Sequence, residues 1–173
     1  MGEPLQTRAD CDRCAALCCI AYPSDEMPGF SAQKQAGEPC PKLGRDGLCT
    51  IYDCRAEKGF AGCIRFECFG AGQHVVQTLF GGHDWRDDPN LLRPMVETFL
   101  AMRPVSDAAY LVERAIRAAT DNESRNELFS LRKELSDIAS SPENLADKGR
   151  LARCQARIKV IYTSIDPVTI RHD

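Results

Sequence analysis

The chain is poor in the features that mark common enzymes and membrane proteins. Its 173 residues include one tryptophan, three histidines and only 7% aromatic residues. It contains no run of 18 apolar residues, so no transmembrane helix is expected. The opening Met1-Gly2-Glu3-Pro4-Leu5-Gln6 lacks the basic start and apolar stretch of a secretory signal. Gln6 stands where myristoylation needs Ser or Thr. The expected address is therefore cytoplasmic, with no membrane partner. Excess positive charge is also missing: 22 Lys and Arg face 25 Asp and Glu, for a net charge of −3. Non-specific nucleic-acid binding, which needs basic surface, is disfavoured. The sequence has no GxxxxGK[ST] phosphate loop, nucleophile elbow, Ser-His-Asp arrangement or dinucleotide-binding glycine pattern. No catalytic residue is assigned on these grounds.

Cysteine is what the chain has in excess. Nine of its ten cysteines fall in residues 11–68: Cys11, Cys14, Cys18, Cys19, Cys40, Cys49, Cys54, Cys63 and Cys68. A stretch so rich in thiols has few large apolar residues for an ordinary core, so a cross-link must supply stability. In a reducing cytosol, clustered thiols serve more often as metal ligands than as disulfides. Cys11-Asp12-Arg13-Cys14 is a CxxC, the two-ligand knuckle of zinc and iron–sulfur sites. Cys11 and Cys18 on one helix would be separated by a rise of roughly 10 Å, so a turn over residues 11–14 is expected. Ala15-Ala16-Leu17 then favours a helix starting near Cys14, with its free N–H groups toward the thiolates.

The adjacent Cys18 and Cys19 should diverge by about 100° on a helix. The expectation is that Cys18 completes a site with Cys11 and Cys14. Cys19 would then face a second centre drawn from Cys40, Cys49, Cys63 and Cys68. Those four alone would fill a tetrahedral site, so either one of them belongs to the first centre or Cys19 is a bystander. A single polynuclear cluster is the alternative.

Pro23 ends the first element, and residues 23–39 read as a loop, with Pro23, Pro28, Gly29, Gly37 and Pro39, that returns Cys40 to the first cluster. Residues 41–68 hold a weak repeat at an offset of 14, each half closing as C-x2-aromatic-acid-C. The plainer reading is an irregular segment whose Ile51, Tyr52, Ile64 and Phe66 fill a small core. Residues 74–80 suit a helix start or a short strand. His74 and His83, each beside a glycine turn, are candidate auxiliary ligands, although a lone loop histidine is more often solvated. Trp85 reads as a packing anchor.

Helical periodicity takes over from Asn90. Leu91 or Leu92, Met95, Phe99 and Met102 share one face, Pro94 fits a first turn, and Pro104 should end the helix. Ser106 or Asp107 would cap a second helix with Leu111, Val112, Ala115, Ile116 and Ala119 inward. Leu128, Leu131, Leu135 and Ile138 stripe a third. Ser141-Pro142-Glu143 is a cap, an N1 proline and a first-turn acid. Leu151, Cys154, Ile158, Ile161 and Ile165 stripe the last, with Cys154 a small buried hydrophobe.

At the cysteine pattern a family resemblance emerges. Cys11-x2-Cys14-x3-Cys18-Cys19, Pro39-Cys40-Pro41-x-Leu43, Cys49-Thr50-Ile51-Tyr52, Cys63 and Cys68 resemble the bacterial zinc- or iron-chelating cysteine-cluster (CxxCxxCC) family. Residues 68–73 and Phe80-Gly81-Gly82-x-Asp84-Trp85-Arg86 are similar to the subtype that precedes pentapeptide repeats. Three departures stand out. The second gap is three residues, Arg55-Ala56 replaces the Arg-Pro common in the family, and Cys54 is extra; no pentapeptide repeats follow. The resemblance implies eight metal ligands, Cys11, Cys14, Cys18, Cys19, Cys40, Cys49, Cys63 and Cys68, holding an iron–sulfur cluster or Zn2+. A flagellin lysine methylase is similar through its cysteine cluster, which implies an iron–sulfur enzyme as one outcome.

The expected fold is mainly α: an irregular metal-stapled cysteine-rich module, residues 1–88, packed on a C-terminal helical bundle, residues 89–173. The expected function is metal binding for metal handling, redox sensing or electron transfer. The alternatives are an iron–sulfur enzyme or subunit, or an interaction module whose metal is structural and whose helices offer a surface to a protein partner.

Overall fold

Every regular element among the described residues is helical, and the only extended pairing is an isolated bridge between Leu43 and Cys49. The structure, a computed structural model, describes residues 4–24 and 29–164. Pro28, Ile165 and the start of the chain through Glu3 lie outside the described residues, and with them the expectations placed there. The chain divides into two units: Arg8–Leu100, and Ala101–Asp173 together with Met1–Thr7.

The first unit is built of short pieces. A 3-10 turn spans Cys11–Arg13, helix α1 spans Leu17–Ala21, and a second 3-10 turn spans Tyr52–Cys54. Helix α2 covers Ala61–Arg65, and α3 covers Ala71–His74 and runs on as a π turn over Val75–Leu79. A helix therefore forms after Cys14, but later than its alanines suggest. Ala15 and Ala16 take left-handed φ values of 48° and 55°, so the chain turns before Leu17 and Cys14 lies off the helix. That conformation costs a non-glycine residue about 1–2 kcal/mol. Both alanines are buried, so packing holds them there.

The unit's core is not the one the cysteine spacing suggested. Leu17, Ile20, Phe60, Val75, Met95 and Phe99 are buried. Tyr52 and Ile64 are each 52% exposed. Tyr22 meets Phe66 edge-on at 5.3 Å and Phe99 at 6.1 Å. The opening of the long helix α4, Leu92–Ala118, thus supplies Met95 and Phe99 to this unit. Asp88 leads into it, accepting from the Asn90 N–H at 3.0 Å ahead of a 3-10 turn over Pro89–Leu91.

Pro104 does not end α4, which continues through it for 27 residues in all. Proline removes the N–H that the Leu100 carbonyl would take and costs a helix interior about 3 kcal/mol. Against that stands an unbroken apolar stripe, with Met102, Val105, Ala108, Val112 and Ala115 all buried. Each large side chain fully buried contributes about 1.5–3 kcal/mol. Ser106 is accordingly a buried mid-helix residue, and Asp107 pairs with Arg103 one turn back instead of capping a new helix. With no restart, Leu111 falls off the stripe and is 39% exposed.

Helix α5, Asn122–Ile138, is capped by Asp121, which accepts from the Ser124 N–H at 2.7 Å. It buries Leu128, Leu131, Leu135 and Ile138. Ser141 accepts from the Asn144 N–H at 3.2 Å and opens the short α6, Pro142–Ala146, not the last helix. Helix α7, Lys148–Ser164, buries Cys154, Ile158 and Ile161. Its Arg157 bridges Glu127 at 2.7 Å and Glu134 at 2.6 Å on α5.

Candidate metal centre

All ten cysteines are free thiols, and the nine of residues 11–68 belong to the first unit. Among the described residues, no three Cys, His, Asp or Glu side chains stand in a ready coordination arrangement. The backbone nevertheless sorts the thiols into neighbourhoods.

The first forms around the Cys11 knuckle. The Cys14 N–H donates to the Cys11 carbonyl at 3.4 Å, closing the turn. Residues 68–85 are riveted to this turn by polar side chains. The Asp10 N–H donates to Gln73 Oε1 at 3.0 Å, and Gln73 Nε2 donates to the Arg8 carbonyl at 2.7 Å. Gln77 Nε2 donates to the Arg13 carbonyl at 3.1 Å, and Trp85 Nε1 to the Ala15 carbonyl at 2.8 Å. Trp85 is thus the anchor its sequence position suggested. Gly72 lies so close to Cys14 that an added Cβ would sit 2.8 Å from the cysteine Cβ and 3.5 Å from its Sγ. Cys68 stands at the head of this segment, its carbonyl accepting from the Ala71 N–H at 3.0 Å.

The second neighbourhood forms where the loop returns. The Gly37 N–H donates to the Ile20 carbonyl at 2.9 Å and the Cys40 N–H to the Cys19 carbonyl at 3.0 Å. Cys40 and Cys49 then close a tight hairpin-like turn. The Leu43 N–H donates to the Cys40 carbonyl at 2.9 Å, Leu43 bridges to Cys49, and the Thr50 N–H donates to the Lys42 carbonyl at 2.9 Å.

The adjacent pair lies between the two. Cys18 and Cys19 do not diverge as a regular helix would direct: their Sγ atoms are 4.0 Å apart. Two thiolates at about 2.3 Å from one tetrahedral ion are about 3.8 Å apart.

Charge follows the same map. Cys11 is lowered from 9.0 to about 7, chiefly by a hydrogen bond from Cys14, while burial and the Glu67 and Asp12 carboxylates oppose the shift. Cys14 is pushed far up by donating that bond, by burial and by the charges of Cys11 and Cys68, while the Ala16 N–H works the other way. Cys18 is pushed up by its bond to Cys19, by burial and by Cys19, Cys14 and Cys68. Cys19 is lowered by the same bond, against burial and Cys11 and with help from Lys34 and Arg55. Burial raises Cys40, with Cys19 and Cys49 adding to it and the Lys42 N–H opposing. Burial pushes Cys63 to about 11, with Cys19, Cys40 and Cys49 adding.

Two cations temper this negative field. Lys34 is buried, and its Nζ donates to the carbonyls of Ile20 at 3.1 Å, Gln35 at 3.2 Å and Tyr22. Arg55 stacks over Tyr52 at 3.8 Å and donates to the Tyr52 carbonyl at 2.7 Å and the Cys63 carbonyl at 3.4 Å.

Neither Lys34, Arg55 nor the Gln73 and Gln77 struts were singled out from the sequence. The two glutamines stand four apart on one helical face after a glycine turn, and that spacing was the one signal present. Cys54 sits on the 3-10 turn over Tyr52–Cys54. His74 is half-buried on α3 and His83 is exposed.

The donor set suits soft, thiolate-binding centres, since thiolates select zinc and iron–sulfur clusters over hard cations. No protein-family model matches the chain, and no solved structure matches it. Over 108 residues, 62% of its length, the chain is 38% identical to the uncharacterized protein YybG of Bacillus subtilis (strain 168). Those residues make up 39% of that relative, so the match spans about two fifths of it.

Proposed function

We propose that the unit Arg8–Leu100 is a metal-binding module whose clustered thiolates hold zinc or an iron–sulfur cluster. It serves metal handling, redox sensing or electron transfer in the reducing cytoplasm. The observation that carries this reading is the gathering of Cys18, Cys19, Cys40 and the Cys11 knuckle by backbone hydrogen bonds around two adjacent thiols 4.0 Å apart. Ionised without a cation, neighbouring thiolates such as Cys18 and Cys19 would repel one another. A soft cation removes that repulsion and cross-links the short segments. Lys34 and Arg55 supply outer-shell positive charge, the usual complement to a site carrying excess thiolate. Zinc would provide a rigid cross-link, and an iron–sulfur cluster would add one-electron chemistry.

Anaerobically purified protein, analysed for zinc, iron and sulfide together with its ultraviolet–visible spectrum, tests the reading. Stoichiometric zinc, or iron with sulfide and visible absorbance, is expected. Protein that carries no metal and takes none up on reconstitution, with its ten thiols free to react, would sink it.

A further inference from the structure

We infer that Trp85 and Arg86, neighbours in sequence, form a clasp that holds the Cys11 knuckle and the Cys40–Cys49 turn in register, with Arg86 a positioning residue that sets how tightly the module retains its metal. The inference rests on the metal-binding reading above and assigns control of retention to side chains that are not ligands.

The two residues reach different cysteine neighbourhoods. Trp85 Nε1 donates at 2.8 Å to the carbonyl of Ala15, the residue after Cys14. The Arg86 guanidinium lies over Gly47, at the tip of the turn that joins Cys40 to Cys49. A Cβ added to Gly47 would stand 2.5 Å from Arg86 Cζ and 2.9 Å from Nη2. Gly47 also takes a left-handed φ of 81°. Glycine meets both demands, since it has no Cβ to clash with the guanidinium or to oppose that φ.

The turn is held at two ends. Its base is tied to α1, where the Cys40 N–H donates to the Cys19 carbonyl at 3.0 Å. Its tip is stiffened from within: the Gly44 N–H donates to the Leu48 carbonyl at 2.7 Å, the Gly47 N–H to the Gly44 carbonyl at 3.0 Å, and the Leu48 N–H to Asp46 Oδ1 at 3.0 Å. Those three bonds fix the shape of the tip and leave its position open. Arg86 supplies the hold there, at a residue two positions before Cys49.

The clasp is itself braced. Asp84 Oδ1 accepts from the Arg86 N–H at 2.8 Å and from Nε at 3.0 Å, and Asp84 Oδ2 accepts from Nη2 at 2.5 Å. This paired contact fixes the guanidinium plane and leaves Nη1 against Gly47. An ion pair so near the surface, with the Arg86 side chain 32% exposed, adds little to global stability. Its contribution is placement: donors already held where they bind lose less freedom when metal enters.

The full chain loaded with Zn2+ alone and challenged with a chromophoric chelator reports retention. Timed iodoacetamide treatment of the metal-free, reduced chain, followed by peptide mass spectrometry, reports placement. Arg86→Ala should release zinc about tenfold faster than wild type, the scale on which partners outside the ligand shell act. Its far-ultraviolet helical signal should not change. Arg86→Lys keeps the charge without the fork and should behave like Arg86→Ala. Asp84→Asn should move the same way, and combining it with Arg86→Ala should add little, because both disable one device. In metal-free Arg86→Ala, Cys49 should be alkylated faster while Cys154, in the other unit, keeps its wild-type rate. Zinc release or Cys49 alkylation at the wild-type rate would overturn the clasp and leave the metal reading standing. Equal acceleration at Cys154 would overturn it too, since the effect would then be a general loosening. A wild-type chain that takes up neither zinc nor iron with sulfide overturns the metal reading itself, and the Cys49 comparison, made without metal, still decides whether Arg86 holds the turn.

Discussion

At the scale of single residues, the chemistry turns on how closely backbone and thiol are brought together. Gly72 approaches Cys14 so tightly that an added Cβ would stand 2.8 Å from the cysteine Cβ. Real Cβ contacts are not that short, so Gly72→Ala must push α3 or Cys14 aside. Overpacking of this kind costs about 1–3 kcal/mol. The expected outcome is that loss in chemical denaturation, together with weakened metal retention if the proposed metal binding holds. Unchanged stability and metal content would show that the contact has slack. Cys11 offers a second residue-level test. In the metal-free chain, a hydrogen bond from Cys14 lowers its thiol to about 7. Alkylation of Cys11 should therefore climb as pH rises through 7, because the thiolate is the nucleophile. In Cys14→Ala the climb should move upward toward the ordinary thiol range. Peptide mass spectrometry after timed iodoacetamide treatment reads both profiles, and identical curves would remove the proposed bond.

Among the elements, the helical stripes were legible and their interruptions were not. Leu128, Leu131, Leu135 and Ile138 could be placed in a core from spacing alone, as could Met95, Phe99 and Met102, because period and burial are the same information on a helix. Pro104 misleads because its penalty is local while the stripe that outweighs it, Met102 to Ala115, spans about four turns. Pro104→Ala restores an N–H for the Leu100 carbonyl and should raise stability by up to about 3 kcal/mol. A lower melting temperature would mean that the ring itself packs usefully. The reverse failure occurs at Ala15 and Ala16, strong helix formers held in left-handed conformation by burial that no local pattern announces. The cysteine-rich unit hid more. Its cysteines were countable, and the CxxC turn followed from helix rise. Its true core was invisible because Tyr52 and Ile64 look like core and are exposed, while Phe60 and Ile20 carry no periodic signature. Gln73 and Gln77 were not singled out, yet they tie segments more than 60 positions apart.

For the whole molecule, the division into two units has a thermodynamic consequence. The unit Arg8–Leu100 holds nine of the ten cysteines and few long helices, whereas α5 and α7 and most of α4 belong to the other. If metal binding is part of the folding free energy of the first unit, its removal acts there first. Circular dichroism follows mainly the long helices. The single tryptophan, Trp85, is anchored through Nε1 to the Ala15 carbonyl beside the Cys14 knuckle and reports on the cysteine-rich unit alone. A strong chelator under reducing conditions should therefore shift Trp85 emission to longer wavelength while most of the far-ultraviolet helical signal persists. On heating the chelated protein, the fluorescence transition should come well before the helical one; in the metal-loaded protein the gap should narrow. The two probes separate the alternatives because they sit in different units. Simultaneous loss of both signals would make the two units one cooperative block. Neither signal moving after proven metal removal would mean that the thiol-rich unit stands on its small apolar core without the ion.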